Sequence, residues 1–366
     1  MRALLVAVIV LASSASAFAY PQFQISKDQT CTGCHLKPSG GGLLNENGMS
    51  VAENISLLPS GPEFMYGAIP LPDWLNIGGD VRSILGYVQA PQRYLLWLLM
   101  QADVQAAATF SHFTIYATVG ARPPEKFNET RTYVSSQEHF LQWQQEEGGH
   151  EGLFVRAGRF MPVFGLRMVE HTLYTRRYGG TPLFSETYGA SVSFVKQRFE
   201  VHASAFLKDP LVDPVRLGNG GAVYGELRID DKTQVGAGAM VEISSFDQKL
   251  RGTLTAKRYF AGPDILLQGE LQLVNPKIDG YGYRQIVGHV MGTYFAPGGV
   301  MVDLGFGHYD ENIRITNLDR DAFDLNVHWF AISHFEMLVV SRLEILGWGS
   351  GGPTGITAML QGHYRL

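Results

Sequence analysis

Residues 234–243 read QVGAGAMVEI, and apolar residues occupy every second position of this stretch. Gln234 and Glu242 fall on the opposite face, because successive side chains of a β-strand point to opposite sides. The pattern therefore predicts a strand with one apolar and one polar face. The apolar face consists of Val235, Ala237, Ala239, Val241 and Ile243.

The same alternation recurs from about residue 73 to the end of the chain, for example in residues 75–87, 265–273 and 323–329. A soluble β-sandwich gives the same alternation, so the pattern alone leaves two fold classes open. Two features favour a membrane barrel. The segments have about the ten residues that a tilted strand needs to cross a bilayer, and nearly every polar face carries Gly, Gln, Glu or Arg, as a wet lumen would.

The connections between these segments alternate between short and long, which is the third feature in favour of a barrel. Seven tight connections fall near residues 111, 147–150, 197, 231, 262, 297 and 334. Eight longer ones fall near residues 91, 123–130, 162–185, 209–220, 245–248, 275–284, 310–320 and 347–354. We therefore predict an all-β fold, a transmembrane antiparallel up-and-down β-barrel of about sixteen strands over residues 73–366, with its tight turns in the periplasm.

Residues 1–19 have the features of a secretory signal peptide. Arg2 precedes an apolar run over residues 3–12, and the small-residue pattern at Ala17 and Ala19 marks a cleavage point before Tyr20. The alternative is a membrane anchor, but the apolar run is too short to span a bilayer. We expect an exported protein whose mature chain begins at Tyr20.

The pentapeptide Cys31-Thr32-Gly33-Cys34-His35 has the spacing of a c-type haem attachment site. In that chemistry the two thiols add to the vinyl groups of the porphyrin, and His35 becomes the proximal ligand of the iron. A redox dithiol would not need His35, and a zinc site would need four ligands. Chance is a poor explanation because these are the only two cysteines of the chain. We predict one covalent haem c.

The predicted haem segment covers residues 20–60, and a Pro-rich linker over residues 61–72 joins it to the barrel. A capping-box pattern that begins at Ser50 predicts a short helix over residues 51–58. The segment is too small for a large core of its own, so we expect it to pack in the periplasmic mouth of the barrel.

The sequence does not decide which residue is the second axial ligand of the iron. Met49 is a candidate, and Met65 is a weaker one. By strand parity, His112, His202 and His363 are predicted to face the periplasmic half of the lumen. Without such a ligand, the iron would bind small molecules.

Two further stretches resemble a known group of proteins. Residues 38–42 read PSGGG after the haem motif, and Asn45 and Gly48 follow them. Residues 155–162 read VRAGRFMP, and residues 164–167 read FGLR. Together they resemble bacterial outer-membrane porin-like β-barrels with an N-terminal monohaem c-type cytochrome segment, akin to the porins of porin–cytochrome electron conduits. The conduit porins usually house a multihaem partner, whereas this chain carries one haem motif of its own.

The resemblance implies electron transfer at the bacterial outer membrane, with the haem segment on the periplasmic side. The partners would be outer-membrane lipid and a periplasmic or extracellular redox protein. It also implies a role for the loop over residues 162–185, because in porins a loop at this position folds inward and narrows the lumen. A solvated extracellular loop is the alternative. The candidate constriction residues, which would favour anions or an acidic partner, are Arg167, Glu170, His171, Arg176 and Arg177.

Charge and motif content restrict the remaining function classes. The net charge is −5 with acidic and basic residues interleaved, which argues against a nucleic-acid partner. No catalytic Ser/His/Asp spacing or phosphate loop stands out, so we do not expect an enzyme. The alternatives to an electron-transfer porin are a passive solute or anion porin with a haem-containing plug or sensor, and a haem enzyme such as a peroxidase.

Overall fold

The computed structural model describes residues 20–89, 92–122, 133–168, 170, 172–182, 185–209, 217–244, 247–347 and 354–366. The predicted signal peptide, residues 1–19, lies outside the described residues. None of the described helices has the length and apolar composition needed to cross a bilayer.

The chain forms a closed antiparallel β-barrel of sixteen long strands, in which each strand pairs with its neighbours in sequence. The barrel closes because β17 pairs with β1, with Leu360 opposite Leu85. A two-residue strand, β12, extends the hairpin between β11 and β13. The strands are β1 Leu75–Gln89, β2 Arg93–Phe110, β3 Phe113–Arg122, β4 Tyr133–Gln144, β5 Gly152–Phe160, β6 Thr187–Lys196, β7 Phe199–Leu207, β8 Asn219–Asp230, β9 Thr233–Ile243, β10 Asp247–Phe260, β11 Ile265–Ile278, β12 Tyr281–Gly282, β13 Gln285–Ala296, β14 Val300–Asp310, β15 Asp319–Ile332, β16 Phe335–Leu346 and β17 Thr354–Arg365.

The polar faces of the strands point inward and the apolar faces point outward. In β9, Gln234 and Glu242 are buried, whereas Val235, Val241 and Ile243 are exposed. A soluble β-sandwich would bury the opposite face, so this inversion separates the two fold classes that the alternation left open. The predicted strand number is confirmed, and the connections fall at the predicted positions. The predicted alternation in their length holds only in part, because the connections at residues 90–92 and 244–246 have three residues each, whereas the connection at residues 145–151, predicted as tight, has seven.

Within the described residues, four short helices and one 3-10 turn accompany the strands. They are α1 Gln22–Ser26, α2 Cys31–Cys34, α3 Glu46–Ile55, α4 Tyr174–Arg177 and the 3-10 turn Phe64–Gly67. The helix predicted over residues 51–58 was placed wrongly, because α3 begins at Glu46. Its N-cap is Asn45 instead of Ser50, and the Asn45 side chain accepts a hydrogen bond from the Gly48 N–H at 2.9 Å.

Residues 20–58 lie inside the lumen, at the end of the barrel that carries the tight turns. Beyond α3 the chain leaves along β15, where the Leu57 N–H donates to the Phe330 carbonyl at 2.9 Å. At the turn between β15 and β16, His334 contacts the Gly61 carbonyl at 2.8 Å. The linker therefore follows the rim of the barrel toward β1 and leaves the haem motif enclosed by the wall.

The long connection between β5 and β6 also enters the lumen in its described part, residues 161–168, 170, 172–182 and 185–186. Phe164, Leu166, Met168 and Tyr174 are almost fully buried against lumen side chains. A solvated loop would leave these residues in water, so the inward-folded alternative is the one observed.

Candidate cofactor site inside the barrel lumen

The pentapeptide at residues 31–35 forms one helical turn followed by an extended residue. Thr30 caps α2, because its hydroxyl accepts a hydrogen bond from the Gly33 N–H at 3.0 Å. The Thr32 hydroxyl donates to the His150 carbonyl at 2.5 Å, which ties α2 to the turn between β4 and β5. His35 is extended and forms an isolated antiparallel bridge with Leu44. This arrangement presents both thiols and the imidazole from one short stretch of backbone.

The chain reverses direction between His35 and Leu44 through three consecutive glycines. Gly40, Gly41 and Gly42 have φ values of 72°, 72° and 66°, a region that glycine enters without a steric penalty. Gly48 permits a second close approach, since a Cβ at this position would collide with the Cys34 carbonyl. The result is that α3 packs directly on the segment that carries the two thiols.

Cys31, Cys34 and His35 line one cavity. Burial raises the pKa of the Cys31 thiol to about 12 and that of the Cys34 thiol to about 11. Burial also lowers the pKa of His35 to about 3, so its imidazole is neutral at pH 7. Both cysteines are free. The cavity therefore contains two thiols and one neutral imidazole. These are the three donor groups that the sequence predicts to lie together.

The rest of this cavity is divided into an apolar side and a cationic side. Phe23, Leu44 and four residues of α3 supply much of the apolar wall: Gly48, Val51, Ala52 and Ile55. Arg82, Arg167 and Arg365 line the same space. The Nε atom of Arg82 is buried without a hydrogen-bond partner among the described residues. This unpaired donor beside an apolar space suits an amphiphilic ligand that carries anionic groups.

Ion pairs hold the N-terminal segment and the inward loop to the same part of the wall. Arg167 of the loop contacts Glu200 at 2.5 Å and Glu226 at 3.1 Å, and all three groups are buried. Lys257 contacts Glu226 at 3.2 Å and donates to Gln24 of α1 at 2.5 Å. Because these charges are both desolvated and mutually paired, losing one partner would leave an uncompensated buried charge.

Two more ion pairs anchor the segment to the wall. Asp28 pairs with Arg228 of β8 at 2.5 Å. Lys37 pairs with Glu138 of β4, and both groups are buried. These contacts lie on different strands, so the segment is fixed in the lumen on several sides.

The predicted constriction residues occupy different environments. Arg167 is the loop residue described above. Arg176 is buried and donates to the Thr181 hydroxyl at 2.7 Å, whereas Arg177 is exposed over the Tyr178 ring. Glu170 lies beside β14 and β15, and His171 lies outside the described residues. The charge of Arg167 is balanced by two carboxylates, so these arginines do not form a ring of unpaired cations.

The predicted second axial ligands are not brought to this cavity in the described part of the chain. Met49 lies on α3 but lines a neighbouring cavity, and Met65 is exposed. His202 and His363 face the lumen as predicted, and each contacts a carboxylate. The prediction for His112 was wrong, because it lies in the turn after β2 with its ring contacting the Gln144 carbonyl. Tyr20 lines the cavity instead.

The barrel has close relatives in shape among solved structures. The anion-selective porin from Comamonas acidovorans has a TM-score of 0.62 and 12% sequence identity, and the match covers 80% of this chain and 99% of that porin. The chain has a porin fold. OmpT of Vibrio cholerae gives a TM-score of 0.59 at 12% identity over 81% and 100% of the two chains. OmpF of Salmonella typhi gives 0.57 at 10% identity over 80% and 97%.

No family model matches the sequence, and no curated protein matches it either. At these identities the solved structures indicate the fold alone. Within this porin fold, the lumen at the tight-turn end is occupied by the chain's own N-terminal segment and by the loop after β5.

Sequence reasoning missed Tyr20, Arg82 and Arg365 as residues of this site. Signals for them were present, since Tyr20 follows the predicted cleavage point and Arg82 lies on the predicted polar face of β1. The sequence does not show how deeply the N-terminal segment enters the barrel. This depth determines which wall residues the segment contacts.

Proposed function

We propose that this protein is an outer-membrane porin-like electron-transfer protein that carries one covalent haem c in its lumen, near the tight-turn mouth. The observation that supports this most strongly is that Cys31, Cys34 and His35 line one cavity inside a closed barrel. The exposed apolar exterior of the strands suits outer-membrane lipid, and by the rule for bacterial barrels the tight-turn mouth would be periplasmic.

The residues of the cavity fit a haem. Two thiols are available for the vinyl groups, and His35 is neutral, as an iron ligand must be. The apolar wall suits the macrocycle. Arg82 has a buried donor atom that nothing in the described chain satisfies. When bound, the haem would supply a one-electron redox couple at its iron.

The chain's own contribution would be to position the cofactor and to limit its contact with water. Beside the bridge between His35 and Leu44, Leu43 is buried against Tyr116 and Phe140 of the wall, which limits the access of solvent there. A single haem cannot carry electrons across an apolar band of roughly 25 Å. The proposal therefore requires a second redox protein, periplasmic or extracellular, that exchanges electrons with this haem.

Tyr20 supplies a candidate for the second axial ligand. If the leader is removed before Tyr20, the residue that lines the cavity carries a free α-amino group. Unperturbed α-amino groups have a pKa of about 7.7–8.0, so a substantial fraction is available as a nitrogen donor near neutral pH. The Tyr20 hydroxyl donates to Glu336 at 2.5 Å, and this contact holds the residue in place. Neither Met49 nor a second histidine lines this cavity in the described chain.

Inserting Gly-Ser between Ala19 and Tyr20 is expected to displace this amine without removing the haem. The visible spectrum should change from six-coordinate low-spin to five-coordinate high-spin iron, while covalent haem staining remains. Tyr20→Phe is the matched control, since it keeps the amine and removes only the hydroxyl. A low-spin spectrum that is unchanged by the insertion would exclude the amine as the ligand, and so would a high-spin spectrum of the unmodified protein.

The second candidate function is a passive solute or anion channel, in which the haem segment is a plug or sensor. The porin fold favours this candidate, and one of the similar solved structures is named as an anion-selective porin. The balanced charge of Arg167 and the occupied lumen speak against free passage of anions through the described part of the pore.

A vesicle assay separates the two candidates. The protein is reconstituted into liposomes that enclose a c-type cytochrome, and an impermeant reductant is added outside, with and without a second cytochrome in the outer solution. The proposal predicts that, with the outer cytochrome present, the enclosed cytochrome is reduced much faster by wild-type vesicles than by vesicles of the Cys31→Ala, Cys34→Ala variant. Equal rates in the two preparations would mean that the reductant diffuses through the pore, and would favour the channel.

A further inference from the structure

The carboxylate of Glu170 is the most unusual polar group in the lumen. Glu170 belongs to the inward loop after β5, just before α4. Both of its carboxylate oxygens are buried, and neither has a hydrogen-bond partner among the described residues. Burying a hydrogen-bond acceptor without a donor costs free energy. A ligand that pairs with this carboxylate would therefore stabilise the folded chain.

Two lumen side chains from neighbouring strands face the same point as Glu170. They are Asp303 of β14 and His328 of β15, and both are fully buried. The His328 Nε2 atom lies 3.1 Å from the Asp303 Oδ2 atom. One ligand atom from each of the three residues can be chosen so that all lie within 4.8 Å of one another. Two ligands of one metal ion lie about 3 Å apart when each is about 2.0–2.2 Å from the ion.

The surrounding contacts orient two of these side chains. The Thr293 hydroxyl donates to the Asp303 Oδ1 atom at 2.5 Å, which leaves Oδ2 directed toward His328. On the other side of the imidazole, the His328 Nδ1 atom lies 2.8 Å from Glu336. Both ring nitrogens of His328 therefore contact carboxylates. A metal ion would take the place of the proton between Nε2 and Asp303, while Nδ1 keeps its carboxylate partner, as metal-binding histidines do.

The charge at this point is also uncompensated. Counting Glu336, three carboxylates meet the imidazole of His328, and no lysine or arginine in the described chain forms an ion pair with Glu170 or Asp303. By contrast, the buried Glu242 pairs with Arg251 at 2.7 Å. The carboxylates of this cluster therefore outnumber its cations.

We propose that Glu170, Asp303 and His328 bind one divalent first-row transition-metal ion. The mixed oxygen and nitrogen donor set suits ions from Mn²⁺ to Zn²⁺. It suits Mg²⁺ and Ca²⁺ less, since these prefer oxygen ligands alone. The site joins the inward loop to the wall, so occupancy would fix the loop in its folded position. None of its three residues belongs to the haem motif, although Tyr20 of the haem cavity donates to Glu336 and packs 5.4 Å from the His328 ring.

The test uses the purified full-length protein in detergent, stripped with EDTA and then titrated calorimetrically with Zn²⁺ and with Mn²⁺. We expect one ion per chain in addition to any haem iron. Glu170→Gln keeps the side-chain shape and should lower the affinity at least about tenfold, as loss of even an orienting residue does. His328→Gln should do the same. The matched control is Glu270→Gln, a buried lumen acid that contacts the same loop at the Leu166 N–H.

Thermal unfolding gives a second measurement that does not depend on the loss of binding alone. Bound metal should raise the melting temperature of the wild type, because a ligand of the folded state stabilises it. The Glu170→Gln variant should fold, since it loses an unpaired buried charge, and its melting temperature should not respond to Zn²⁺. The inference is overturned if the wild type binds neither ion, or if both variants bind with unchanged affinity.

Discussion

Replacing Cys31 and Cys34 together by alanine is expected to abolish covalent haem completely. Each thiol provides one thioether bond in the proposed attachment, and the chain has no other cysteine. Haem staining on a denaturing gel should fall from a full signal to none. Thr32→Ser is the matched control, because it lies between the cysteines and keeps the hydroxyl that donates to the His150 carbonyl.

The double variant should still form a barrel. Apart from a weak contact of the Cys34 sulfur with Asn47 at 4.0 Å, the polar contacts that anchor the segment to the wall use other residues. Unheated samples should therefore keep the altered gel mobility that is typical of folded barrels, with and without the cysteines. Staining that persists in the double variant would contradict the proposed attachment, whatever the state of the barrel.

Deleting residues 20–60 while keeping the signal peptide is expected to raise the pore conductance several-fold. The strands pair with one another and close through β1 and β17, so the wall does not depend on this segment for its hydrogen bonds. The segment fills the lumen at the tight-turn end, and its removal would leave water there. Glu138 would lose Lys37, but its carboxylate would then be hydrated instead of buried.

Single-channel recording in planar bilayers measures this effect. The control is a deletion of residues 312–317, which lie in an exposed connection between β14 and β15. This control should leave the conductance near the wild-type value. If deletion of residues 20–60 also left the conductance unchanged, ions would not pass through the space that the segment occupies, and the plug would have no effect on the pore.

The barrel could be predicted from the sequence because the pattern that specifies each strand lies within a short stretch of residues. Each strand repeats a two-residue period, and the turns interrupt that period at positions such as residues 197 and 231. The alternation does not tell which face is buried, but the strand length and the composition of the polar face do. The start of α3 was harder, because Asn45 and Ser50 both have capping side chains. Asn45 is the actual cap because its oxygen reaches the Gly48 N–H.

The contacts inside the lumen could not be predicted, because they join residues far apart in the chain. Arg167 meets Glu200 and Glu226 only after three strands have closed around the loop. Glu170 lies near Asp303, although almost half of the strands separate the two residues in sequence. No periodic pattern within a short stretch of sequence predicts such long-range contacts. For the same reason Met49 was a reasonable ligand candidate by proximity in sequence, although it lines a different cavity.

The intact mass of the purified wild-type chain tests the central proposal most directly. The protein is extracted from the outer membrane, denatured and measured without digestion. We expect the mass of residues 20–366 plus one haem, which would report the cleavage before Tyr20 and the covalent attachment in one value. A mass that equals the polypeptide alone, in material from cells that mature c-type cytochromes, would contradict the proposal that the lumen carries a covalent haem.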